Sequence, residues 1–527
     1  MAPLLSALRG LRVLPVLRRA DENVTSTFDF AFAPAHNPWR HLGALAFLCL
    51  VIVIASGIIA YALYDTSVEG AYASGLRLQN DRFLLGRLLR GLHRYAADGF
   101  MLLTFLHLVR EGVRGHFCGV RWFSWITGVP LLWLLWIAGL TGLWLLWDER
   151  ALFSLTATAE WLQSLPLAAD LLARNFLTPG ALNDRFFSLI MFVHIGVPLL
   201  LLAAVWVHVQ RVSLPRMWPP RALTAGFVAM LALLALVHPA QSLGPADTGN
   251  IAPRLSVDWF YLFPHAMVES LSAQSVWLLA GALTFALAVL PWVRRRAPAT
   301  EPSRVARVDL ANCNGCSRCA ADCPFGAVLM IPRTDQRNHP RQASVVADLC
   351  AGCGICVGAC PSSTPFRRIE DIVSGIELPG LPVAVLRMEL QEKLAALRGK
   401  EKIMVFACRH AADFAPLGDA STAVISLECA AMLPPSFIDY ATRMGAAGVV
   451  IAGCREADCE YRLGDQWVQD RFSGKRAPAV RAAAPRDRIA IVWCGHDIDR
   501  ARDAIKILRN NTRAITAIAP VVATKEE

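Results

Sequence analysis

Cysteine carries the most specific spacing in this 527-residue sequence. Thirteen of the fifteen cysteines lie within residues 313–527. Eight of them form two runs of the pattern Cys-x2-Cys-x2-Cys-x3-Cys-Pro: Cys313, Cys316, Cys319 and Cys323, then Cys350, Cys353, Cys356 and Cys360. In paired runs of this kind, three thiolates hold one [4Fe-4S] cube and the fourth reaches the other cube. The spacing therefore predicts one cluster on Cys313, Cys316, Cys319 and Cys360, and a second on Cys350, Cys353, Cys356 and Cys323.

Disulfides and zinc are the alternatives for these cysteines. Disulfide frameworks belong mainly to small extracellular domains, whereas cysteines clustered at short spacings indicate metal ligands in a reducing compartment. A zinc site uses four ligands. Zinc binding therefore accounts neither for the third cysteine of each run nor for the proline that follows the fourth cysteine. Iron is therefore favoured over both.

Four further cysteines follow short apolar runs near the end of the chain. Cys408, Cys429 and Cys454 each follow a strand-like segment, and Cys459 comes five residues after Cys454. Ligands of open α/β sheets bind at the carboxyl ends of strands. These four thiols are therefore predicted to meet at one edge of a sheet and to hold a further iron–sulfur cluster. A buried structural cysteine is the alternative for any one of them, and also for Cys494.

Histidines form two matched pairs within apolar segments. His93 and His107 are 14 residues apart, as are His194 and His208. At 100° and 1.5 Å per residue, 14 steps return to within about 40° of the same helix face, about 21 Å further along. Two facing helices of this kind can ligate two stacked haems, His93 with His194 and His107 with His208. A single histidine could instead be satisfied by a hydroxyl or a carbonyl, but unpartnered imidazoles in hydrocarbon are costly and four in register favour haem.

Glycines repeat the same spacing on two other apolar segments. They are Gly43 and Gly57, and Gly128 and Gly142. A missing side chain at the haem pitch lets a porphyrin face approach the backbone, although each glycine alone could be a packing residue. Arg90 precedes the first histidine by three residues and Arg110 follows the second by three. Both are predicted to pair with haem propionates, with a solvated arginine as the alternative.

The composition requires long apolar segments to carry these residues. Hydrophobic residues make up 55% of the chain and charged residues 18%, with a mean hydropathy of +0.41. These values exclude a wholly soluble or disordered protein. Six apolar runs are nearly long enough, or long enough, to cross about 30 Å of hydrocarbon as helices. They are residues 43–63, 92–114, 124–147, 187–210, 222–238 and 275–293.

The positive net charge fits a membrane protein. The chain has 52 Lys and Arg against 42 Asp and Glu, a balance of +10, and basic residues accumulate at the cytoplasmic ends of membrane helices. No nucleic-acid partner is expected. The connections after the second and fourth runs and residues 294–296 are basic, although the first connection is basic as well. We therefore expect a multi-pass protein of the bacterial or archaeal cytoplasmic (inner) membrane, with both termini and all cysteine-rich segments facing the cytoplasm.

The fold class expected is multidomain: an α-helical membrane bundle of six spans, a small α+β domain and a C-terminal α/β domain with a parallel sheet. The expected order is a basic cytoplasmic arm (1–40), the membrane domain (41–296), a linker (297–308), the two-cluster domain (309–370), a second linker (371–398), the α/β domain (399–511) and a tail (512–527).

Residues 40–293 resemble cytochrome b of the quinol-oxidising bc complexes. The stretch from Arg90-Gly-Leu-His93 to His107-Leu-Val-Arg110 is similar to that family's second helix, and the four glycines to its first and third. Val257-Asp258-Trp259-Phe260 occupies the place of its Pro-Glu-Trp-Tyr quinol-site motif, with a shorter carboxylate. The resemblance implies two b-type haems, the His93/His194 one outermost, and quinone as substrate. It also implies Asp258 as the catalytic proton acceptor, and it allows a homodimer through this domain.

The two cysteine segments resemble further families. Residues 309–370 are similar to bacterial two-cluster ferredoxins. Phe406-Ala-Cys408, Leu427-Glu-Cys429 and Ala452-Gly-Cys454 through Cys459-Glu-Tyr461, with Gly464 and Arg471, resemble the delta iron–sulfur subunit that connects hydrogenases or formate dehydrogenases to heterodisulfide reductase. That resemblance implies a [2Fe-2S] cluster and a flavin-containing partner subunit. The family commonly has a second cysteine where this chain has Ala411, so the implied ligands are Cys408, Cys429, Cys454 and Cys459.

Together these features predict a subunit of a membrane-bound quinone oxidoreductase that exchanges electrons with a cytoplasmic flavoprotein resembling heterodisulfide reductase. No nucleotide-binding glycine fingerprint is recognisable, so the chain itself is expected to bind no NAD or flavin. A negative interior favours outward movement of electrons, and quinone reduction is therefore the expected direction. The alternatives are a bc-type quinol-oxidising subunit that needs a Rieske partner, and a redox-inactive membrane anchor, which would need none of these histidines and cysteines.

Overall fold

The computed structural model describes residues 13–518 apart from 82, 166–181, 250–257, 259, 294–304, 336, 368–371, 457 and 496. The chain forms two compact units. One comprises Met1–Gln210 with Pro215–Arg296, and the other Arg211–Leu214 with Ala297–Glu527. We call the first the helical unit, because its regular described elements are helices, and the second the cysteine unit, because it holds the three groups of cysteines.

Ten α-helices make up the described part of the helical unit. They are α1 (Val13–Phe32), α2 (Leu42–Leu63), α3 (Gly70–Gln79), α4 (Leu85–Arg114), α5 (Trp122–Trp144), α6 (Glu149–Gln163), α7 (Asp184–His208), α8 (Arg221–Val237), α9 (Phe263–Ser270) and α10 (Ala273–Val293). Helices thus occur at all six predicted span positions. Part of the predicted N-terminal arm is also helical, as α1.

Four stretches of the described residues are long and apolar enough to cross a membrane: Pro38–Leu63, Trp122–Trp144, Asp184–His208 and Ala273–Val293. The other two predicted spans differ from them for separate reasons. Helix α4 has 30 residues but carries several arginines and acids, and α8 has only 17 residues. Charge on α4 and shortness of α8 therefore separate these two helices from the four clear spans.

The helix ends follow from local sequence. Asp148 begins α6 by accepting a hydrogen bond from the Ala151 N–H at 2.9 Å, and Asn183 begins α7 in the same way. Both residue types are preferred N-caps because their side-chain oxygens satisfy an otherwise unpaired amide. Helix α4 ends at Arg114 and is followed by Gly115, whose φ of 77° is the left-handed conformation that closes many helices.

The two histidine-bearing helices are held by their neighbours. Helix α4 packs against α2 and α8, and α7 packs against α5. Cys49, Phe100, Leu135 and Leu201, one from each of α2, α4, α5 and α7, belong to one buried cluster. Lipid tails are as apolar as these side chains, so close packing rather than escape from water stabilises such contacts. The cluster fixes α4 and α7 relative to each other.

The cysteine unit begins with two antiparallel strand pairs and two short helices. The elements are β1 (Arg307–Val308), α11 (Arg318–Asp322), β2 (Val328–Pro332), β3 (Arg341–Val345), α12 (Ile355–Ala359) and β4 (Ile376–Glu377). Strand β1 pairs with β4, and β2 with β3. Strand β4 lies in the predicted second linker, and so does α13 (Val383–Ala396), which buries Leu386, Leu390 and Leu394 at helical spacing. That segment is therefore part of the folded unit.

A four-stranded parallel sheet forms the C-terminal part of the cysteine unit. Its strands are β5 (Ile403–Cys408), β6 (Thr422–Leu427), β7 (Gly448–Gly453) and β8 (Ile489–Trp493), in the order β6-β5-β7-β8. Helices α14 (Ser436–Arg443), α15 (Gly464–Phe472) and α16 (Asp499–Ile518) accompany them. Every residue of β5 and β7 is buried, as expected for central strands covered on both faces. The alternation of strands and helices agrees with the predicted α/β domain, and α16 extends into the predicted tail.

Candidate functional site

The four predicted haem-ligating histidines lie on the two facing helices. His93 and His107 belong to α4, and His194 and His208 to α7. The ring centroids of His93 and His194 are 6.3 Å apart. A metal–imidazole bond of about 2 Å on each side, plus a ring radius of about 1 Å, requires a separation of about 6 Å between two axial imidazoles. The distance between these rings therefore fits two ligands of one iron.

Three of these histidines are oriented through Nδ1. The partners are Ser56 Oγ for His93 at 3.0 Å, Thr127 Oγ1 for His208 at 3.2 Å, and the Ala138 carbonyl for His194 at 3.0 Å. A hydrogen bond at Nδ1 fixes the ring and leaves Nε2 for a metal. Each of the two hydroxyl residues immediately precedes one of the predicted glycines. A Ser or Thr before Gly is therefore a sequence signal for these partners, in addition to the 14-residue spacing.

The four glycines make room for imidazole rings. A Cβ added to Gly57 would lie 3.0 Å from Cε1 of His93, and one added to Gly142 would lie 2.6 Å from Cε1 of His194. Gly128 and Gly43 lie in the same way against His208 and His107, at 3.2 and 3.4 Å. The shared 14-residue spacing thus pairs one glycine with each histidine. The nearest side chain to each added Cβ is one of the four predicted haem-ligating histidines, and the approach of a porphyrin face to these glycines stays a prediction.

The two arginines near the histidines contact protein groups. Arg90 is buried and donates hydrogen bonds to the Gly75 carbonyl at 2.9 Å, Gln79 Oε1 at 3.0 Å and Ser242 Oγ at 2.8 Å. Arg110 is also buried, 3.4 Å from Glu111 Oε1. Arg90 thus ties α4 to α3 and to the segment after α8. Pairing of either arginine with a propionate stays a prediction.

Asp258 lies in a buried charge network. Its carboxylate pairs with Arg94 and accepts hydrogen bonds from the backbone N–H groups of Phe260 at 3.1 Å and Tyr261 at 3.2 Å. The same Arg94 guanidinium lies 3.1 Å from Asp98 Oδ2. Neither Arg94 nor Asp98 was identified from the sequence, although ionisable residues within an apolar helix are a recognised functional signal. Two carboxylates therefore share one guanidinium beside the predicted quinol-site motif.

The first cysteine site gathers residues from both runs. Cys313, Cys316, Cys319 and Cys360 line one small cavity together with Met330 and Ile376. Burial, and then the three neighbouring thiols, raise the pKa of Cys319 to about 12. A thiol so hard to ionise becomes a thiolate only with a metal charge beside it, because cysteines bind metals in that form. The four residues fit a [4Fe-4S] cluster with the predicted crossing of the fourth ligand.

The second cysteine site has the complementary set. Burial raises the pKa of the Cys353 and Cys356 thiols, and the adjacent Cys323 and Cys350 raise it further. Backbone N–H groups of Ala327 and Ala306 donate to the sulfurs of Cys323 at 3.3 Å and Cys350 at 3.5 Å. Such bonds tune the potential of a bound cluster.

Short loops with left-handed residues shape both runs. Gly315 and Gly352, each directly before the second cysteine, have φ of 65°. The residue after that cysteine is also left-handed, Ser317 with φ of 63° in the first run and Gly354 with φ of 71° in the second. These turns direct successive thiols to one centre. Glycine adopts this conformation without strain, whereas serine does not.

The third cysteine site lies at the carboxyl ends of three strands. Cys408 ends β5, Cys429 follows β6 and Cys454 follows β7, and the Sγ atoms of Cys408 and Cys454 are 3.6 Å apart. Hydrogen bonds from Cys429 and then Cys454 hold the pKa of Cys459 well below its usual range. All four thiols are buried.

Ala411 and Cys494 belong to the hydrophobic packing of the sheet domain. Ala411 packs against the core of the sheet domain, and Cys494 is 1% exposed within that core. Cys494 is therefore a structural cysteine. Among the described residues, no group of three or more His, Cys, Asp or Glu side chains is arranged to hold a single metal ion.

A buried ion pair joins the second and third sites. Arg471 donates to Asp322 Oδ2 at 2.5 Å and to the Ala431 carbonyl at 2.7 Å, and lies 3.4 Å from the Ile355 carbonyl. Asp322 directly precedes Cys323, whereas Ala431 lies two residues after a ligand of the third site. One guanidinium therefore contacts the surroundings of both sites. The hydrogen bond with Cys459 and burial raise the pKa of Cys429, and Cys353 adds a smaller contribution. Sequence spacing gave no signal for the Arg471 contacts.

Three family models match the chain in the order of these sites. They are cytochrome b/b6/petB over residues 28–214, the 4Fe-4S dicluster domain over residues 306–364, and the methyl-viologen-reducing hydrogenase delta subunit over residues 402–518. A match to cytochrome b implies b haem, and one to the dicluster domain implies [4Fe-4S] clusters.

Curated relatives agree with the first of these matches. Cytochrome b6 of Prochlorothrix hollandica is 31% identical over 177 residues, which is 33% of this chain and 79% of that protein. Cytochrome b of Oryza sativa subsp. indica is 26% identical over 293 residues, 50% of this chain and 73% of that protein. Among solved structures, a chain of a hyperthermophilic respiratory complex III is 20% identical with a TM-score of 0.41, covering 48% of this chain and 74% of that one. This chain therefore belongs to the cytochrome b/b6 family, and its cytochrome b segment is followed by a 4Fe-4S dicluster domain and a hydrogenase delta-subunit domain.

Proposed function

We propose that the protein is the membrane subunit of a quinone oxidoreductase and that it carries electrons between quinone and a cytoplasmic flavoprotein. Two b haems, two [4Fe-4S] clusters and a [2Fe-2S] cluster form the route. The observation that carries this proposal is the pair of histidines on α4 and α7 with ring centroids 6.3 Å apart. Neither a membrane anchor nor a soluble redox protein has a use for two imidazoles at that separation inside an apolar bundle.

The helical unit would hold the haems. His93 with His194 would ligate the outer haem and His107 with His208 the inner one, in a bundle of six spans that includes α4 and α8. Bound haem supplies one-electron redox chemistry at the membrane interior. The protein's own contribution is orientation: Ser56 and Thr127 fix two of the rings, and the glycines opposite them leave room for the imidazoles.

Asp258 would accept a proton when quinol is oxidised and return it when quinone is reduced. The Arg94 guanidinium pairs with this carboxylate and holds it in place. Asp98, on the other side of the same guanidinium, offers a second acceptor. A buried site lined in this way excludes bulk water while keeping a proton path of charged groups.

The cysteine unit would continue the route to the soluble partner. The buried Arg471, which donates to Asp322 beside the second site and to the Ala431 carbonyl beside the third, supports an order in which the second [4Fe-4S] cluster adjoins the [2Fe-2S] cluster. The hydrogenase delta-subunit domain supports a partner of the flavin-containing heterodisulfide-reductase type. A negative interior favours electrons moving outward, so quinone reduction is the proposed direction.

The test is the difference spectrum of the purified protein, dithionite-reduced minus oxidised, repeated with quinol as reductant. Two b-type haems that quinol reduces are expected, and His93→Ala should remove one of them. His265→Ala is the matched control, because His265 is also a histidine of the helical unit bonded to a hydroxyl, Thr158 Oγ1 at 2.7 Å, but has no facing histidine among the proposed pairs. A spectrum without b haem but with intact iron–sulfur absorption would leave only the membrane-anchor alternative.

A further inference from the structure

The three cysteine sites differ in their access to solvent. All fifteen cysteines belong to the described residues, and among them only Cys316 is exposed. The four thiols of the third site are buried, and in the second site Cys353 and Cys356 are buried. Electron tunnelling slows steeply with distance, so a soluble carrier exchanges electrons best where a ligand reaches the surface. The first site is therefore the natural contact point for such a carrier.

A basic pocket adjoins this site. It has a volume of about 570 Å³ and is lined by Arg333, Arg337, Arg367 and His339 among others. Cys313 lines both this pocket and the cavity of the first cysteine site. The pocket thus lies directly beside the proposed cluster.

Among the described residues of the pocket, only Asp335 pairs with the arginines. Asp335 pairs with Arg333 and, at 3.8 Å, with Arg337. Arg367 instead donates to neutral groups, Asn312 Oδ1 at 2.8 Å and the Val373 carbonyl at 3.2 Å. Among the described residues, three arginines against one carboxylate leave a net charge of +2 at the mouth of the site.

The hydrogen bonds of these arginines favour a protein over a small anion. Arg333 donates to the carbonyls of Cys313 at 2.7 Å and Leu310 at 2.5 Å, and Arg337 donates to the Ala311 carbonyl. Guanidinium N–H groups that already donate to backbone carbonyls are not available as the parallel pair that binds a phosphate in bidentate fashion. What remains is positive charge around the pocket, which steers an acidic protein face toward it.

We propose that this pocket docks an acidic one-electron carrier protein of the ferredoxin or flavodoxin class, which exchanges electrons with the first cysteine site. The proposal rests on the function proposed above, because it needs a cluster on Cys313, Cys316, Cys319 and Cys360. One electron leaves the reduced carrier and one arrives at that site, and no bond is made or broken. The carrier is a separate partner from the flavoprotein subunit, and its interface is small, as electron-transfer encounters usually are.

The experiment measures binding of a purified acidic [2Fe-2S] ferredoxin to the full-length holoprotein. Arg337→Glu and Arg367→Glu, singly and together, should slow association by about tenfold or more at low salt, and added salt should shrink the difference. Arg500→Glu is the matched control. Arg337 and Arg500 have side chains 55% and 58% exposed, and each lies near one aspartate, at 3.8 and 3.6 Å. The control should bind as the unchanged protein does. Unchanged iron content in each variant shows that the sites have assembled.

A second measurement places the carrier on the pocket. Residues 1–392 contain no lysine, so Arg337→Lys keeps the charge and introduces an amine there. A carbodiimide should then couple ferredoxin carboxylates to residue 337, as identified by mass spectrometry.

Three results would overturn the proposal: equal slowing by Arg500→Glu, cross-links only to Lys393 and later lysines, or displacement of ferredoxin by inorganic phosphate at constant ionic strength. Quinol reduction of the haems does not depend on this pocket. The function proposed above would therefore stand if only the docking failed.

Discussion

The first and third cysteine sites each bring four thiols together, but their architectures differ. The first is built from loops and a short helix in which three ligands fall within seven residues, and one of its thiols, Cys316, is exposed. The third collects its proposed ligands, Cys408 to Cys459, at the ends of three parallel strands, and all its thiols are buried. The first site depends mainly on turn conformation, whereas the third depends on the whole sheet. Mutations should therefore disturb the first site locally and the third through the fold.

The largest effect is expected at the centre of the third site. Cys459→Ser removes the thiol that receives hydrogen bonds from Cys429 and Cys454. Non-haem iron should fall from about ten to about eight atoms per chain, because a [2Fe-2S] cluster is lost and two [4Fe-4S] clusters remain. Iron and acid-labile sulfide assays would measure this loss.

Cys494→Ser provides the comparison for this variant. Cys494 is equally buried, but it packs in the core of the sheet domain instead of facing the other thiols. Its replacement should lower stability without releasing iron. Equal iron loss from both variants would mean that the third site is not a ligand set.

The second largest effect concerns the connection between sites. In the Asp322–Arg471 pair both side chains are at most 3% exposed, so Asp322→Ala leaves a buried charge without its partner. Breaking such a pair costs about 3–5 kcal/mol. The melting transition of the cysteine unit should drop markedly, and magnetic coupling between the second and third clusters should weaken in electron paramagnetic resonance spectra.

Asp419→Ala is the control for that prediction. Its partner Arg509 lies 2.9 Å away, but the Asp419 side chain is 51% exposed. An exposed pair contributes about 0–1 kcal/mol. Equal destabilisation by the two substitutions would argue that Asp322 contributes nothing beyond an ordinary ion pair.

The difference between the two sites also decides what the sequence could predict. Both cysteine runs were assigned from spacing alone, because each run bends around its own centre. The third site requires a sheet, and its placement at the strand ends was predictable because Cys408, Cys429 and Cys454 each follow an apolar run. The pairing of Asp322 with Arg471 spans 149 residues, and no local pattern encodes it.

The helical unit shows the same limit. The 14-residue spacing predicted which histidines face one another, because helix periodicity is a local property. The network of Arg94, Asp98 and Asp258 joins α4 to a loop 160 residues later. Helix periodicity cannot predict a contact between segments so far apart in the sequence. The charges of that network are also among those that set α4 apart from the four clear spans.

A moderate effect is expected at Gly464, where the third site leaves the least room for an added methyl group. A Cβ added to Gly464 would lie 2.5 Å from the sulfur of Cys429 and 2.9 Å from that of Cys459. Gly464→Ala should therefore force the backbone or the thiols to move, at a cost of about 1–3 kcal/mol, and should alter the visible spectrum of the cluster. Gly380→Ala, where the added methyl meets no atom within 4 Å, should leave both the spectrum and the melting temperature unchanged. Identical spectra for the two variants would show that the site can expand freely.

The smallest effect is expected at the first site, where strain is confined to one turn. Ser317 has a φ of 63°, while the corresponding Gly354 of the second run has a φ of 71°. A left-handed residue other than glycine costs about 1–2 kcal/mol, and glycine loses about 0.5–1 kcal/mol through its freer unfolded chain. Ser317→Gly should therefore stabilise the folded state by about 0.5 kcal/mol net, raising the melting temperature slightly with full iron content. A decrease would mean that the Ser317 hydroxyl, 3.5 Å from the Gly315 carbonyl, supports the turn more strongly than its backbone strain opposes it, and the first site would then depend on side chains as the third one does.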